Sequence, residues 1–239
     1  MTSSSRRPIP TIDRISDLPD SILGHILSFL PTKQASTTSI LSKRWKSVWL
    51  SVLSLNFDEE PFKNCFSFQK FVYLTISLLR DNSIHSFTFK CSRGSNFNQR
   101  DYNQILKFAM KRGVESLEFD MSKRSRVIKL PSNILNMKTL RVLKLSHIKM
   151  EDFDQVDFPL VKTLHLNRIS FISPKHIVKF LLGFPILENL YSQSFVLTKS
   201  SIPMDDVNAL PNLLKVRICD LNTPMALVCN AKFLHIDKV

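Results

Sequence analysis

The sequence predicts an α/β chain in two parts: an N-terminal module of three helices at residues 13–51, then a solenoid at residues 52–239 of parallel strands with helical or loop returns. Three observations predict it. Apolar residues between Ile15 and Trp49 recur at helical spacing, punctuated by proline and serine. Beyond Val52 a six-residue pattern, apolar-x-x-apolar-x-apolar, recurs to the end of the sequence. Hydrophobic residues make up 44% of 239 positions, enough for a substantial core and too many for a disordered chain.

Residues 1–12 read as a disordered tail. Arg6 and Arg7 are followed by no apolar run that could form the core of a signal peptide. The apolar block Phe180–Phe184 falls far short of the roughly 20 residues that cross a bilayer. The expectation is a protein with no membrane association, cytoplasmic and/or nuclear. Cys65, Cys91, Cys219 and Cys229 form no CxxC pair and no metal-ligand spacing with histidine, so they are expected as free, buried or half-buried thiols.

The first helix is expected to start after Ser16 or Asp17, with Pro19 in its first turn and Asp20 complementing its N-terminus. Ile22, Leu23, Ile26, Leu27 and Leu30 carry it to Pro31, which stops it. Thr32 is placed to cap a second helix running through Ala35 to about Leu41. Ser42 is placed to cap a third, in which Trp45 and Trp49 lie four residues apart on one face. So small a trio cannot hide all its apolar surface, which implies either a partner or packing onto the rest of the chain.

The segment Leu18-Pro19-Asp20-Ser21-Ile22-Leu23-Gly24-His25-Ile26-Leu27-Ser28-Phe29-Leu30-Pro31, followed by Leu41-Ser42-Lys43-Arg44-Trp45, resembles the F-box of plant F-box/leucine-rich-repeat proteins of the F-box/FBD type. Where such proteins usually carry a bulkier apolar or basic pair, this chain has Ser36-Thr37. The resemblance implies a substrate-recognition subunit of an SCF-type ubiquitin ligase, without catalytic activity of its own. A Skp-type adaptor, and through it a cullin scaffold, would be bound by Leu18, Pro19, Ile22, Leu23, Ile26, Leu27, Leu30, Pro31, Ile40, Leu41 and Trp45.

The repeats start at Val52, Ile84, Val114, Leu140, Val161, Leu187, Leu213 and Ala231. Their spacings of 32, 30, 26, 21, 26, 26 and 18 residues lie around the roughly 20 to 29 of leucine-rich repeats, the long early ones leaving room for helices. Phe68, Phe71, Val72, Thr75, Ile76 and Leu79 form one helical stripe, and Tyr102, Ile105, Leu106 and Ala109 another. A third helix is expected from about Lys175 to Leu182, opened by Ser173-Pro174 and closed near Gly183. Ser192 breaks the pattern at a third apolar place. The resemblance extends through Leu130-Pro131, Phe158-Pro159-Leu160 and Phe184-Pro185-Ile186, and implies a chain that stops short of the C-terminal module of such proteins.

Four glycines, none close to another, leave no phosphate-cradling loop or nucleophile elbow. No HExxH or His/Cys cluster is present, and His165 and His235 have no nucleophile or orienting carboxylate at a readable spacing, so no enzyme, cofactor or metal is expected. The acidic run Glu151–Asp157 lacks the glycine of a calcium loop and reads as a solvated segment. Side chains alternate along a strand, so residues between inward apolar positions face the concave surface. There Lys90, Glu118, Lys144, His165, Tyr191, Lys215, Arg217 and His235 are the candidate contacts to an unknown protein target, with Thr88 and Asn189 beside them.

The formal charge of +13 is concentrated in residues 61–150, with seventeen Lys/Arg against five Asp/Glu. This leaves open a polyanion- or nucleic-acid-binding role, although sequence-specific recognition is not expected. An F-box scaffold without a working target site is a further alternative.

Overall fold

Eight strands begin two residues after the eight repeat starts. The computed structural model describes residues 14–79, 83–91, 97–122, 128–198, 208–219 and 222–237, so the expected tail at 1–12 lies outside the described residues. Three helices come first: α1 (Asp20–Ser28), α2 (Thr32–Thr37) and, after a 3-10 turn at Thr38–Ile40, α3 (Lys43–Leu50). The first half of the solenoid holds β1 (Ser54–Asp58), α4 (Cys65–Leu78), β2 (Ser86–Lys90), α5 (Gln99–Lys111), β3 (Ser116–Asp120) and β4 (Ile128–Leu130). There follow β5 (Val142–Ser146), β6 (Ile148–Met150), β7 (Thr163–Asn167), β8 (Ser170–Phe171) and α6 (Pro174–Leu181). The last elements are β9 (Asn189–Gln193), β10 (Val196–Leu197), β11 (Lys215–Ile218), α7 (Met225–Val228) and β12 (Phe233–Ile236).

The repeat strands form one parallel sheet in the order β1-β2-β3-β5-β7-β9-β11-β12. In β1, β2, β3, β5 and β7 the second and fourth residues are buried and the other three face outward, as the alternation requires. Register sets like on like: Leu117 pairs with Leu143, Leu143 with Leu164 and Leu164 with Leu190. Each such side chain removed from water contributes about 1.5–3 kcal/mol before chain entropy is counted. Ser192 occupies an inward place yet is buried, because its hydroxyl shares a 2.8 Å hydrogen bond with that of Thr223.

The long early repeats hold α4 and α5, capped by Asn64 and Asn98; at α5 the Asp101 carboxylate returns a bond to the Asn98 amide to complete a capping box. Between these helices and the sheet lies an aromatic core in which Phe89 stacks on Phe119 at 5.3 Å and Phe97 meets Phe68 and Phe89 edge-on. Later returns are not only helix or loop. They contribute a second parallel sheet, β10-β8-β6-β4, which the sequence pattern does not reveal because strands of two or three residues show no period. The chain crosses from one sheet to the other through a single left-handed residue, His147 (φ 58), Arg168 (φ 50) and Ser194 (φ 60), each directly after its strand. A left-handed L-residue costs about 1–2 kcal/mol. Its use at three equivalent places shows how tight this corner is.

Gly183 closes α6 for a reason other than the expected left-handed turn. An added Cβ would press on Val156, meeting its backbone oxygen at 2.7 Å, so close approach requires the glycine. Phe158 and Phe184, one repeat apart, stack at 4.8 Å.

The N-terminal module departs from expectation in three places. α1 is preceded by Pro19 without any side-chain cap, and ends at Ser28 rather than Leu30. Thr32 caps nothing: it lies inside α2, and its hydroxyl accepts the Asn56 amide of β1 at 2.6 Å. The expected helix to Leu41 gives way to the 3-10 turn because Ser36, Thr37, Thr38 and Ser39 each donate a hydroxyl to the carbonyl three residues back, at 2.6–2.8 Å. Ser42 does cap α3, accepting the Trp45 amide at 3.2 Å. Leu23, Leu27, Ala35, Val48 and Trp49 are buried in one core with the solenoid.

At the other edge, all four residues of β12 are exposed. Hydrogen exchange on the monomeric 239-residue chain is expected to be about tenfold or more faster for amides of Phe233–Ile236 than for those of Leu143–Leu145, because an internal repeat has two stabilising neighbours and an edge repeat one. Equal protection would mean that the edge is covered.

Candidate functional site

Two surfaces collect the residues singled out by the sequence. The first lies on the helical module. Pro19, Ile22, Ile26, Ile40 and Leu41 are exposed, Ile40 by 84% and Leu41 by 64%. Leu18, Leu30, Pro31 and Trp45 are half-buried. Leu23 and Leu27 are corrections: at 0% and 2% exposure they belong to the core and hold α1 against it, so they cannot touch a partner directly.

Phe29, 74% exposed, was missed although the signal is plain, since Ile22, Ile26 and Phe29 follow one helical stripe. Arg44 was missed as well. From α3 it donates to the carbonyls of Ser16 and Leu18 and, at 2.7 Å, to the Asp20 carboxylate, thereby fixing the chain that presents Leu18 and Pro19. All of its partners precede it by 24 residues or more, so spacing alone does not show them.

The second surface is the open face of the large sheet. Asn56, Thr88, Glu118, Lys144, His165, Tyr191, Arg217 and His235 stand in register across all eight strands. Lys90, Asn189 and Lys215 lie in the flanking columns. Glu118 is held between Lys90 at 2.8 Å and Lys144 at 3.7 Å. Its acceptance of a hydrogen bond raises the Lys90 pKa. His165 stacks on Tyr191 with ring centroids 4.2 Å apart, and burial, followed by the Lys144 charge, pushes the imidazole pKa down.

Asp237 organises the C-terminal end of the row. It accepts from Arg217 at 2.7 and 3.1 Å, from the Cys219 thiol at 2.7 Å, and pairs with His235 at 3.0 Å. The Arg217 bonds hold its carboxyl well below the usual range, and donation to it pushes the Cys219 thiol up. Two grooves share Tyr191 and Arg217. One of about 550 Å³ extends past His165, Asn167 and Gln193 to Asp237, and one of about 580 Å³ lies against Lys215, Lys232, Phe233 and Leu234. Asp237 was not foreseen because it follows the last residue of the repeat pattern.

The acidic run is not simply solvated. Glu151 pairs with Lys129 at 2.6 Å, Asp152 with His176 at 2.8 Å and Asp157 with Lys138, while buried Phe153 stacks on His176. Among the described residues no group of three or more His, Cys, Asp and Glu is placed to hold a metal, and no helix is long and apolar enough to cross a membrane.

A helical module that caps a parallel-strand solenoid, each part with an open face, defines a protein-interaction chain. The F-box domain model matches residues 15–57, and the model for the LRR repeats of FBD-associated F-box protein At5g56370 matches residues 102–221. The chain belongs to the F-box/LRR-repeat family of plants. It is 33% identical over 183 residues to F-box/FBD/LRR-repeat protein At5g56420 of Arabidopsis thaliana, covering 76% of this chain and 43% of that protein. It is 35% identical over 193 residues to F-box/LRR-repeat protein At4g14103 of the same plant, covering 74% and 49%. The chain spans about half the length of the curated relatives it matches.

His165 supplies a pH test. Its pKa in the fold is lowered, so the folded chain binds fewer protons than the unfolded one below about pH 6.5. The stability that the neutral ring contributes is therefore present above that pH and lost as pH falls toward the folded value. In a ring-proton NMR titration, His165 is expected to titrate below about 6.5, and Lys144→Ala to move its midpoint upward. A midpoint at or above the unperturbed value would contradict the geometry.

Proposed function

We propose that this chain is the substrate-recognition subunit of an SCF-type ubiquitin ligase. In this reading the helical module docks on a Skp-type adaptor coupled to a cullin scaffold, and the open face of the large sheet holds a target protein. The observation that carries it is the division of the module's apolar residues. Leu23, Leu27, Ala35, Val48 and Trp49 are used internally, whereas Ile22, Ile26, Phe29, Ile40 and Leu41 remain exposed with the solenoid already in place. Packing on the rest of the chain therefore leaves these apolar side chains uncovered.

The chain itself makes no covalent bond in this mechanism. By holding adaptor and target together it raises the effective concentration of target lysines near a separate ubiquitin-charged enzyme, and rigid seating of the module on the first repeat helps to fix that separation. Its place of work is the cytoplasm, the nucleus or both. Against polyanion binding through residues 61–150, five of its seventeen Lys/Arg (Lys90, Lys129, Lys138, Arg141 and Lys144) are ion-paired to carboxylates. A scaffold without a working target site would leave the ordered row from Glu118 to His235 without a use.

Ile22→Ala/Leu41→Ala is expected to weaken binding to a Skp-type adaptor by tenfold or more, since exposed aliphatic anchors at such interfaces are worth about 2 kcal/mol when truncated. The variant's thermal midpoint is expected to stay unchanged. Leu23→Ala, by contrast, is expected to destabilise the fold by about 2–5 kcal/mol. Adaptor binding undiminished in the folded double variant would sink the docking assignment.

A further inference from the structure

The open face of the large sheet is not uniform, and its two ends differ in what they leave available. Toward the first strands Glu118 is neutralised from both sides by Lys90 and Lys144. At the groove between β9, β11 and β12 the balance changes. Lys215, Arg217 and Lys232 border it, the Tyr191 and Phe233 rings give it apolar wall, and no carboxylate lines it. Phe233, in register with Lys215 on the outer face, is 58% exposed, whereas Leu234 continues the inward column of Leu190 and Val216. Among the described residues neither Lys215 nor Lys232 is ion-paired; Lys232 lies 5.7 Å from the Phe233 ring centroid.

We infer that this groove takes an acidic peptide segment carrying an aromatic or large aliphatic side chain. Carboxylate recognition is already built at its border. Arg217 engages Asp237 through Nε and Nη2, in a pair of parallel charge-assisted bonds that also hold the guanidinium in place. Lys215 and Lys232 are then the cations left for carboxylates of a ligand, and the two aromatic rings are left for its apolar side chain. A nucleic acid would need a run of cations along its backbone. The row here is interrupted by the stacked, poorly basic His165 and by Tyr191, and it offers a few charges around an apolar wall instead. The inference rests on the reading of the open face as the target-binding surface and names the chemistry of the segment bound there.

The test uses the full chain and a fluorescein-labelled 12-residue peptide alternating Asp or Glu with Phe or Leu. Its isostere with Asn and Gln, and a 12-base-pair DNA duplex, serve as competitors. At physiological salt the acidic peptide is expected to bind at least tenfold more tightly than its isostere. Lys215→Glu/Lys232→Glu is expected to remove that preference, and Phe233→Ser to weaken binding threefold or more. The same charge change on the exposed face of α5, Lys107→Glu/Lys111→Glu, is expected to alter affinity less than twofold. Equal binding of both peptides, equal loss in the α5 variant, or tighter binding of the duplex overturns the inference. Failure here is separable from failure of the wider reading. A captured target that is lost on Lys144→Glu, but indifferent to Lys215→Glu/Lys232→Glu, leaves the target-binding face in place and removes only the acidic groove. Indifference to all of these variants removes both.

Discussion

Every strand of the large sheet carries inward side chains that only its neighbours can cover, and the rest of the chain is arranged around that requirement. Parallel register places Leu143 beside Leu117 and Leu164, so each repeat supplies part of the wall that hides the next. A mismatch is felt at once in such a stack. Where Ser192 replaces the third apolar residue, Thr223 is drawn in from the next repeat to satisfy its hydroxyl. The same logic explains the trade between returns: bulky Phe-rich helices in the early repeats, a thin second sheet with left-handed corners in the later ones.

An array of this kind has two ends, and the N-terminal one is closed by the helical module. Thr32 satisfies the Asn56 amide on the edge strand, and the Lys33 ammonium reaches the Pro61 carbonyl at 2.7 Å. Edge amides left open invite pairing with other chains. The module that caps this end divides its apolar residues between faces of the same helix: Leu23 and Leu27 point into the core while Ile22 and Ile26 do not. The hydroxyls of Ser36 to Ser39, by tightening α2 into a 3-10 turn, set where Ile40 and Leu41 emerge.

Much of this was legible in the sequence, for a physical reason. A period-two strand inside a repeat fixes which residues face in and which face out, so the whole row from Thr88 to His235 could be placed in register from spacing alone. The first helix is equally open to reading, although its period does not say which of two adjacent apolar residues is inside; hence Leu23 and Leu27, expected on the adaptor face, lie in the core. What stayed hidden depends on contacts between distant positions: the Arg44 clamp, the pairing of Ser192 with Thr223, and the acidic strap, where Asp152 finds His176. The second sheet stayed hidden because its strands are too short to carry a period.

Charge shows most clearly why composition misleads. The excess of cations in residues 61–150 suggests a basic surface, but parallel stacking brings acids from elsewhere in the chain against them: Glu151 reaches Lys129 and Asp157 reaches Lys138. Exposed pairs of this sort contribute only about 0–1 kcal/mol each to stability. Their larger effect is on recognition, because a paired cation offers a ligand much less than an unpaired one. The last repeats are balanced in overall charge, yet among the described residues Lys215 and Lys232 stand unpaired beside two aromatic rings. The electrostatic character of this chain therefore follows from which strands lie side by side rather than from the local total of charged residues.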